Sequence, residues 1–182
     1  MFPLLPHAFA ELSEDFHTRQ NWEGFDNAFV VTENSDLKNE LGINNLGDQQ
    51  LLNIFNGTEK IESLKPLSMV YSGHQFGQYV EQLGDGRGLL LGQMSSNSGL
   101  IDIHLKGAGK TPYSRFGDGR AVLRSVIREY LCGEAMHALS IPTSRALMII
   151  GSDEMVIREK SESAAMLART AKTHIRFGSF EY

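Results

Sequence analysis

Cysteine is nearly absent from this chain. Cys132 is the only one among 182 residues, so no intrachain disulfide can form, and zinc sites built on four cysteines are excluded. Long apolar runs are absent too. No stretch approaches the roughly 18 residues that a membrane-spanning helix needs. The opening Met1-Phe2-Pro3-Leu4-Leu5-Pro6 has neither a basic region nor a continuous apolar core, so it does not read as a secretory signal. A cytoplasmic location with no membrane partner is the expectation. Positive charge is also in short supply: 17 Lys and Arg stand against 22 Asp and Glu, for a net charge of −5 and a pI near 5.7. A broad nucleic-acid face needs the opposite balance, so no nucleic-acid partner is expected. His74, His104, His137 and His174 show no ligand spacing such as H-E-x-x-H. No metal ligand is expected among these residues. Internal repeats and low-complexity tracts are missing.

What is present is an ordinary core-forming composition, 41% hydrophobic and 21% charged. That suits one domain with an extension. Residues 1 to about 34 read as a leading arm with aromatics and one short strand near Ala28-Phe29-Val30-Val31. Ser35 is placed to cap a short helix carrying Leu37 and Leu41 and closed by Gly42; Asp48 is placed to cap a second. Asn56-Gly57-Thr58 has the form of a glycosylation sequon, which the missing secretion signal argues against. Pro66 marks a boundary. Beyond it come a strand over Leu67–Tyr71, a turn-rich link over Ser72–Gly77, and a glycine loop, Gly84-Asp85-Gly86-Arg87-Gly88. An apolar run follows, then a turn over Ser95–Gly99. The next strand alternates: Ile101, Ile103 and Leu105 face one side, Asp102, His104 and Lys106 the other. The spacing predicts a helix from about Gly119 to Leu139, with Val122, Val126, Glu129 and Gly133 on one arc and Leu123, Ile127, Tyr130 and Leu131 widening it. Cys132 reads as a packed small residue of that helix. Arg124, Ser125 and Arg128 take the outer arc. Strands over Ala146–Ile150, Met155–Arg158 and Ala164–Thr170 follow. The ending at Tyr182 has no stop signal and reads as an interruption in mid-domain.

The chemistry gathers between Leu83 and Glu129. The triple glycine lacks the spacing of G-x-G-x-x-G, and alone it is equally a tight hairpin. Gly107-Ala108-Gly109-Lys110-Thr111 invites a P-loop reading, but that motif needs glycine where His104 stands, and Pro112 obstructs an immediate helix. Lys106 alone would be a solvated strand-end lysine, and Glu129 alone a surface glutamate. In this order, glycine hairpin, strand-end lysine, then helix carboxylate, they match the Lys–Glu pair that holds nucleotide phosphates in kinase-like folds. Arg169 and Arg176, seven apart, are on spacing alone as readily surface arginines as ligand residues.

Longer motifs sharpen this. Tyr71-Ser72-Gly73-His74-Gln75-Phe76-Gly77, Gln82-Leu83-Gly84-Asp85-Gly86-Arg87-Gly88, His104-Leu105-Lys106-Gly107-Ala108-Gly109 and the run from Thr111 to Ser125 resemble the selenoprotein O (YdiU) family. Ile127–Leu131, Glu134–Leu139 and His174–Gly178 continue the match. The resemblance implies an α+β, protein kinase-like N-lobe, an antiparallel sheet with one long helix, over 67–182. An extension with short helices precedes it over 1–66, and the second lobe is absent. It also implies protein adenylylation, the transfer of AMP from ATP to Ser, Thr or Tyr hydroxyls of protein substrates, with ATP flipped relative to a kinase. Carried over residue by residue, Gly84, Gly86 and Arg87 form the glycine loop on ATP. Lys106 is the phosphate lysine and Glu129 its partner, the two catalytic positions. Asp118 and Gly119 belong to the nucleotide site, and Arg169 and Arg176 grip phosphates. Family members are longer, and the base and the Mg2+ or Mn2+ ligands are expected beyond Tyr182. The chain alone is therefore expected to be inactive. A kinase-type phosphotransferase and a non-catalytic nucleotide-binding fragment are the alternative readings.

Overall fold

The structure, a computed structural model, describes residues 3–59, 61, 64–97 and 99–182. The turn expected over Ser95–Gly99 includes Ser98, which lies outside them. Among the described residues the fold is α+β and the strand pairings are antiparallel. Ten strands form: β1 (His17–Arg19), β2 (Phe29–Glu33), β3 (Leu67–Met69), β4 (Gly73–Gln75), β5 (Gln78–Val80), β6 (Gly88–Ser96), β7 (Gly99–Lys106), β8 (Ala121–Val122), β9 (Arg145–Ile157) and β10 (Ser161–Ala171). Three helices join them: α1 (Ser35–Glu40), α2 (Asp48–Phe55) and α3 (Leu123–Ala138). The main sheet runs β1-β3-β6-β7-β10-β9-β2, with β8 against β10, while β4 and β5 make a separate hairpin. No helix of the described residues is long and apolar enough to cross a membrane.

Both faces of the sheet are covered, and the alternation of β10 shows how. Ala164, Met166 and Ala168 pack into a cluster with Leu51, Ile54 and Phe55 of α2 and Leu37 of α1. Ala165 and Leu167 turn the other way, onto Val126 of α3. The centre of the sheet is therefore dry on both sides, and a polar side chain there must find its partner within the protein. Strand β7 obeys the same rule. Ile103 and Leu105 enter the α2 side of the core, while Asp102 and His104, on the opposite face, are also fully buried.

Several sequence expectations change. The long helix starts at Leu123, four residues later than its pattern suggests, because Ala121 and Val122 pair with Ala165 and Ala164 as β8. Their backbone groups are committed to the sheet before the helix begins. Ile127 and Leu131, expected on the packed side, are exposed, and so is Cys132. The buried stripe is the narrow one through Val126 and Gly133. The two strands expected around Gly151-Ser152-Asp153 are one 13-residue strand, β9, absorbed by register shifts against β10. The link over Ser72–Gly77 is the β4–β5 hairpin. Asn34, not Ser35, caps α1: its side chain accepts from the Leu37 amide at 3.0 Å. Asp48 is the first residue of α2 rather than its cap, Gly47 standing before it. Asn56 is buried and trades hydrogen bonds with the Phe25 backbone at 2.8 and 2.9 Å, so its amide is not presented for glycosylation.

Candidate functional site

A glycine ends β7. Gly107 takes φ 87°, and the chain leaves the sheet for a loop over 108–120 before returning as β8. The strand therefore stops at Lys106 and leaves its ammonium beside the N-terminal half of α3. Lys106 forms an ion pair with Glu129. The other oxygen of Glu129 accepts from Arg169 Nη1 at 2.8 Å. Arg169 lies opposite His104 across the β7–β10 ladder, so sheet register brings the second cation to the same carboxylate. Burial lowers Lys106 from the ordinary ammonium value, with Arg87 and Arg169 acting in the same direction against Glu129. Burial alone would raise Glu129, but Arg169 and Lys106 hold it below the usual carboxylate range. One carboxylate is thus shared by two cations, and the trio carries a net positive charge.

The trio opens onto a cleft of about 830 Å³. Gly84, Gly86, Arg87, Lys106, Asp118, Gly119, Arg169 and Arg176 all line it; Glu129 stands behind Lys106. The bases on its wall are Arg87, Lys106, Arg115, Arg120, Arg158, Arg169 and Arg176, and among the described residues the only acids there are Asp85 and Asp118. In a chain of net charge −5, this is a local concentration of positive field. The glycine loop forms part of the cleft wall. Gly84 takes φ 64°, and a Cβ there would sit 2.5 Å from Tyr113 Cγ, so both its backbone conformation and its neighbour require glycine. Arg87, at the far side of the loop, is exposed and forms no ion pair among the described residues.

The site residues differ in how committed they are. Both oxygens of Asp118 are held by Arg158, at 2.6 and 2.8 Å, and one also accepts from the Arg120 amide. Gly119 accepts from the Gly109 amide through its carbonyl. Arg120 is structural: it pairs with Glu154 at 2.9 Å, donates to the Glu23 carbonyl at 2.6 Å and lies over the Phe25 ring at 4.4 Å. Arg176 is held loosely. Its Nη2 reaches Asp85 only at 3.4 Å, its guanidinium lies over Tyr71 at 4.8 Å, and its buried Nε has no hydrogen-bond partner among the described residues.

Beneath these cations sits a polar floor that the sequence did not single out as site residues. Asp85 is buried, accepting from the Tyr71 hydroxyl at 3.2 Å and the Met69 amide at 3.3 Å. Burial pushes Asp85 up, yet His104, Arg176 and the Met69 amide outweigh it and hold the carboxyl low. Burial, aided by Arg169, drives His104 down to about 3, so His104 is neutral. Its Nδ1 accepts from Arg169 Nε at 3.4 Å, which leaves the proton on Nε2, facing Asp85 at 3.7 Å. The signals for this floor were present: one carboxylate inside a glycine triplet, and a polar face on an otherwise core-forming strand.

Fold and cleft together define an α+β protein with a partly buried, cation-rich cleft beside one shared glutamate. A family model described as "Protein adenylyltransferase SelO" matches residues 5–182. The chain belongs to this family. It is 52% identical to a protein nucleotidyltransferase YdiU of Vibrio parahaemolyticus over 97% of this chain, 53% identical to that of Vibrio vulnificus strain YJ016 over 96%, and 48% identical to that of Dechloromonas aromatica over its whole length. The chain spans 36 to 37% of the length of these relatives.

Proposed function

We propose that this chain is the ATP-binding, kinase-like N-lobe of a protein adenylyltransferase, which moves AMP from ATP to Ser, Thr or Tyr hydroxyls of protein substrates. The observation that carries the reading is Glu129, behind the wall of a cationic cleft, bridging Lys106 and Arg169. The carboxylate holds both cations in place without neutralising them, so the field of the trio remains available to a phosphate chain. Arg176, whose Nε has no hydrogen-bond partner among the described residues, and Arg87, which forms no ion pair among them, add charge-assisted donors. The names of the relatives support nucleotidyl transfer; the family description adds adenylyl.

In the proposed reaction the acceptor hydroxyl oxygen attacks the α-phosphorus, and the bond from that phosphorus to the α–β bridging oxygen breaks. Pyrophosphate leaves, and the hydroxyl proton passes to a base. Lys106, Arg169 and Arg176 would balance the charge that builds on the leaving pyrophosphate. Mg2+ or Mn2+ would shield the phosphates further, with its ligands and the base expected beyond Tyr182. No group of three or more His, Cys, Asp or Glu at metal-binding range occurs among the described residues.

The position of the label tests the reading. A polypeptide extended to the relatives' length is incubated with a protein acceptor, Mg2+ or Mn2+, and ATP labelled at the α- or the γ-phosphorus. Transfer of the α label with release of pyrophosphate is expected. Transfer of the γ label would instead make it a kinase-type phosphotransferase. Tight ATP binding with neither transfer would make it a nucleotide-binding module. The 182-residue chain alone is expected to bind ATP and transfer nothing.

A further inference from the structure

Arg176 reaches the cleft from an unpromising place. It lies on an irregular segment that follows β10, and its own contacts are weak. The segment around it, however, is fastened on both sides. Two residues before it, the His174 amide donates to Asp102 Oδ2 at 2.7 Å. Two residues after it, the Gly178 carbonyl accepts from the Ser72 amide at 3.0 Å, in an approach so close that a Cβ on Gly178 would lie 1.7 Å from the Ser72 carbonyl oxygen. Arg176 hangs between these two fixed points.

Asp102 is unusual as a fastening. It is fully buried in the middle of the sheet, and it gathers strands and segments far apart in the chain. Its Oδ1 accepts from His7 Nε2 at 2.8 Å and from Gln93 Nε2 at 2.9 Å, and its Oδ2 takes the His174 amide. The His174 ring also stacks on His104 at 4.7 Å, in the floor beneath Arg169. Burial pushes the Asp102 carboxyl up, but the contacts from His174, His7 and Gln93 overwhelm it and hold the group ionised. A buried carboxylate costs free energy unless several donors satisfy it, so the loss of any one position is resisted by the others.

We propose that Asp102 is a positioning residue for the phosphate site: by holding the His174 amide it sets where the segment leaving β10 turns back, and so places the Arg176 guanidinium in the cleft. This rests on the reading of Arg176 as a phosphate ligand. Asp102 does not line the cleft and acts only through the segment. An asparagine at 102 keeps the size but has a single acceptor oxygen, so it cannot serve His7, Gln93 and His174 together.

A double-mutant cycle on ATP affinity tests this, measured calorimetrically on the 182-residue chain. Asp102→Asn is expected to weaken ATP on the order of tenfold in the unchanged chain, about the value of one charge-assisted contact. In an Arg176→Ala background, Asp102→Asn should cost almost nothing further. In an Arg87→Ala background it should keep its full effect. A general loosening of the fold would weaken ATP alike in every background and overturn the proposal. If Arg176→Ala itself leaves ATP affinity unchanged, the reading of Arg176 fails, and the inference with it. Should Asp102→Asn not fold, Gly178→Ala opens the other fastening and must show the same dependence on Arg176. Amide exchange in the unaltered chain is the independent check: His174 should exchange as slowly as the β7 core, and free exchange would overturn the proposal.

Discussion

Two arginines show how differently this molecule uses the same side chain. Arg145, at the start of β9, is saturated. Its Nε and Nη2 clasp Glu134 of α3 at 3.0 and 2.7 Å, and its Nη1 lies 2.8 and 2.9 Å from the two oxygens of Glu40. Arg176 has one ion pair, at 3.4 Å, a ring contact with Tyr71 at 4.8 Å, and a buried Nε with no hydrogen-bond partner among the described residues. Its side chain is 40% exposed, against 9% for Arg145. A cation that ties α1 and α3 to the sheet is surrounded by acceptors. A cation that faces the cleft has few of them, so an anion entering there would have few bonds to displace. The contrast teaches that a cation enclosed by carboxylates fastens elements together, whereas one with a single loose acceptor is left facing the cleft.

The comparison is broken most severely from the saturated side. Arg145→Ala leaves Glu134 and Glu40 facing each other without their cation. Removing one partner of a buried pair costs about 3–5 kcal/mol, and because both glutamates keep some water, about 2–3 kcal/mol is expected. A urea titration of the variant should show that loss, while ATP affinity of the folded fraction stays unchanged. A loss of affinity at full stability would erase the distinction.

Arg169→Ala and Arg176→Ala should behave in the reverse sense. A charge-assisted hydrogen bond is worth about 1.5–3 kcal/mol, so each change should reduce catalytic efficiency on the order of tenfold to a hundredfold in the full-length protein. Lysine at either position should recover only part of it, having no planar fork. Arg176→Ala should lower the melting temperature somewhat, because the buried Asp85 loses its loose cation. Arg169→Ala should lower it somewhat, because Glu129 loses a partner. Activity equal to the unaltered protein in both would remove the phosphate role from the site.

Acid sharpens the same contrast. His104 has a folded value of about 3 against an ordinary 6.5. Between those values the unfolded chain takes a proton that the folded one refuses. Stability must therefore fall as pH drops from about 6.5 toward 3. His174 is shifted in the same direction, chiefly by burial, and adds to the loss. In the Arg145 cluster, Glu134 is held below its ordinary 4.5, the bonds from Arg145 and Asn34 outweighing burial. Its contribution is intact above that value and is lost only as pH falls through the lower folded one. Urea midpoints between pH 8 and pH 5 should decline in the unaltered chain, and His104→Gln should flatten the decline. An unchanged slope in that variant would mean His104 is not the group responsible.

The smallest effect belongs to Arg124. It pairs with Glu162 at 2.5 and 3.1 Å, but its own side chain is half exposed, and pairs with a solvated guanidinium contribute little. Arg124→Ala should leave both ATP use and the melting temperature where they were. A loss of ATP use matching that of Arg176→Ala would mean that arginine removal in general, rather than an unmet donor, explains the cleft results.

Local pattern carried a good part of this fold. The alternation of β7 sorted Ile103 and Leu105 from Asp102, His104 and Lys106, and the 3.6-residue period put Val126 and Gly133 on the buried stripe of α3. Both follow from which way successive side chains point, a property of a few neighbouring residues. The order of glycine loop, lysine and glutamate was equally legible, because its spacing is written along one stretch of chain. The errors have a common cause. Ala121–Val122 looked like helix because nothing local shows that β10 takes up their backbone groups. Ile127 and Leu131 looked buried because apolar character does not say how wide a helix's packed stripe is.

What only the tertiary structure decided is which polar groups meet. Glu129 finds Arg169 40 residues on, Asp85 finds Arg176 across 91, and His7 and His174 meet on Asp102 from opposite ends of the chain. Composition and periodicity report on burial and local geometry, and they established an acidic, core-forming chain with a glycine-lysine-glutamate core motif. Pairings over such separations depend on sheet order and register. Register is set by the packing of both faces at once, so the cleft exists only after the whole sheet has formed.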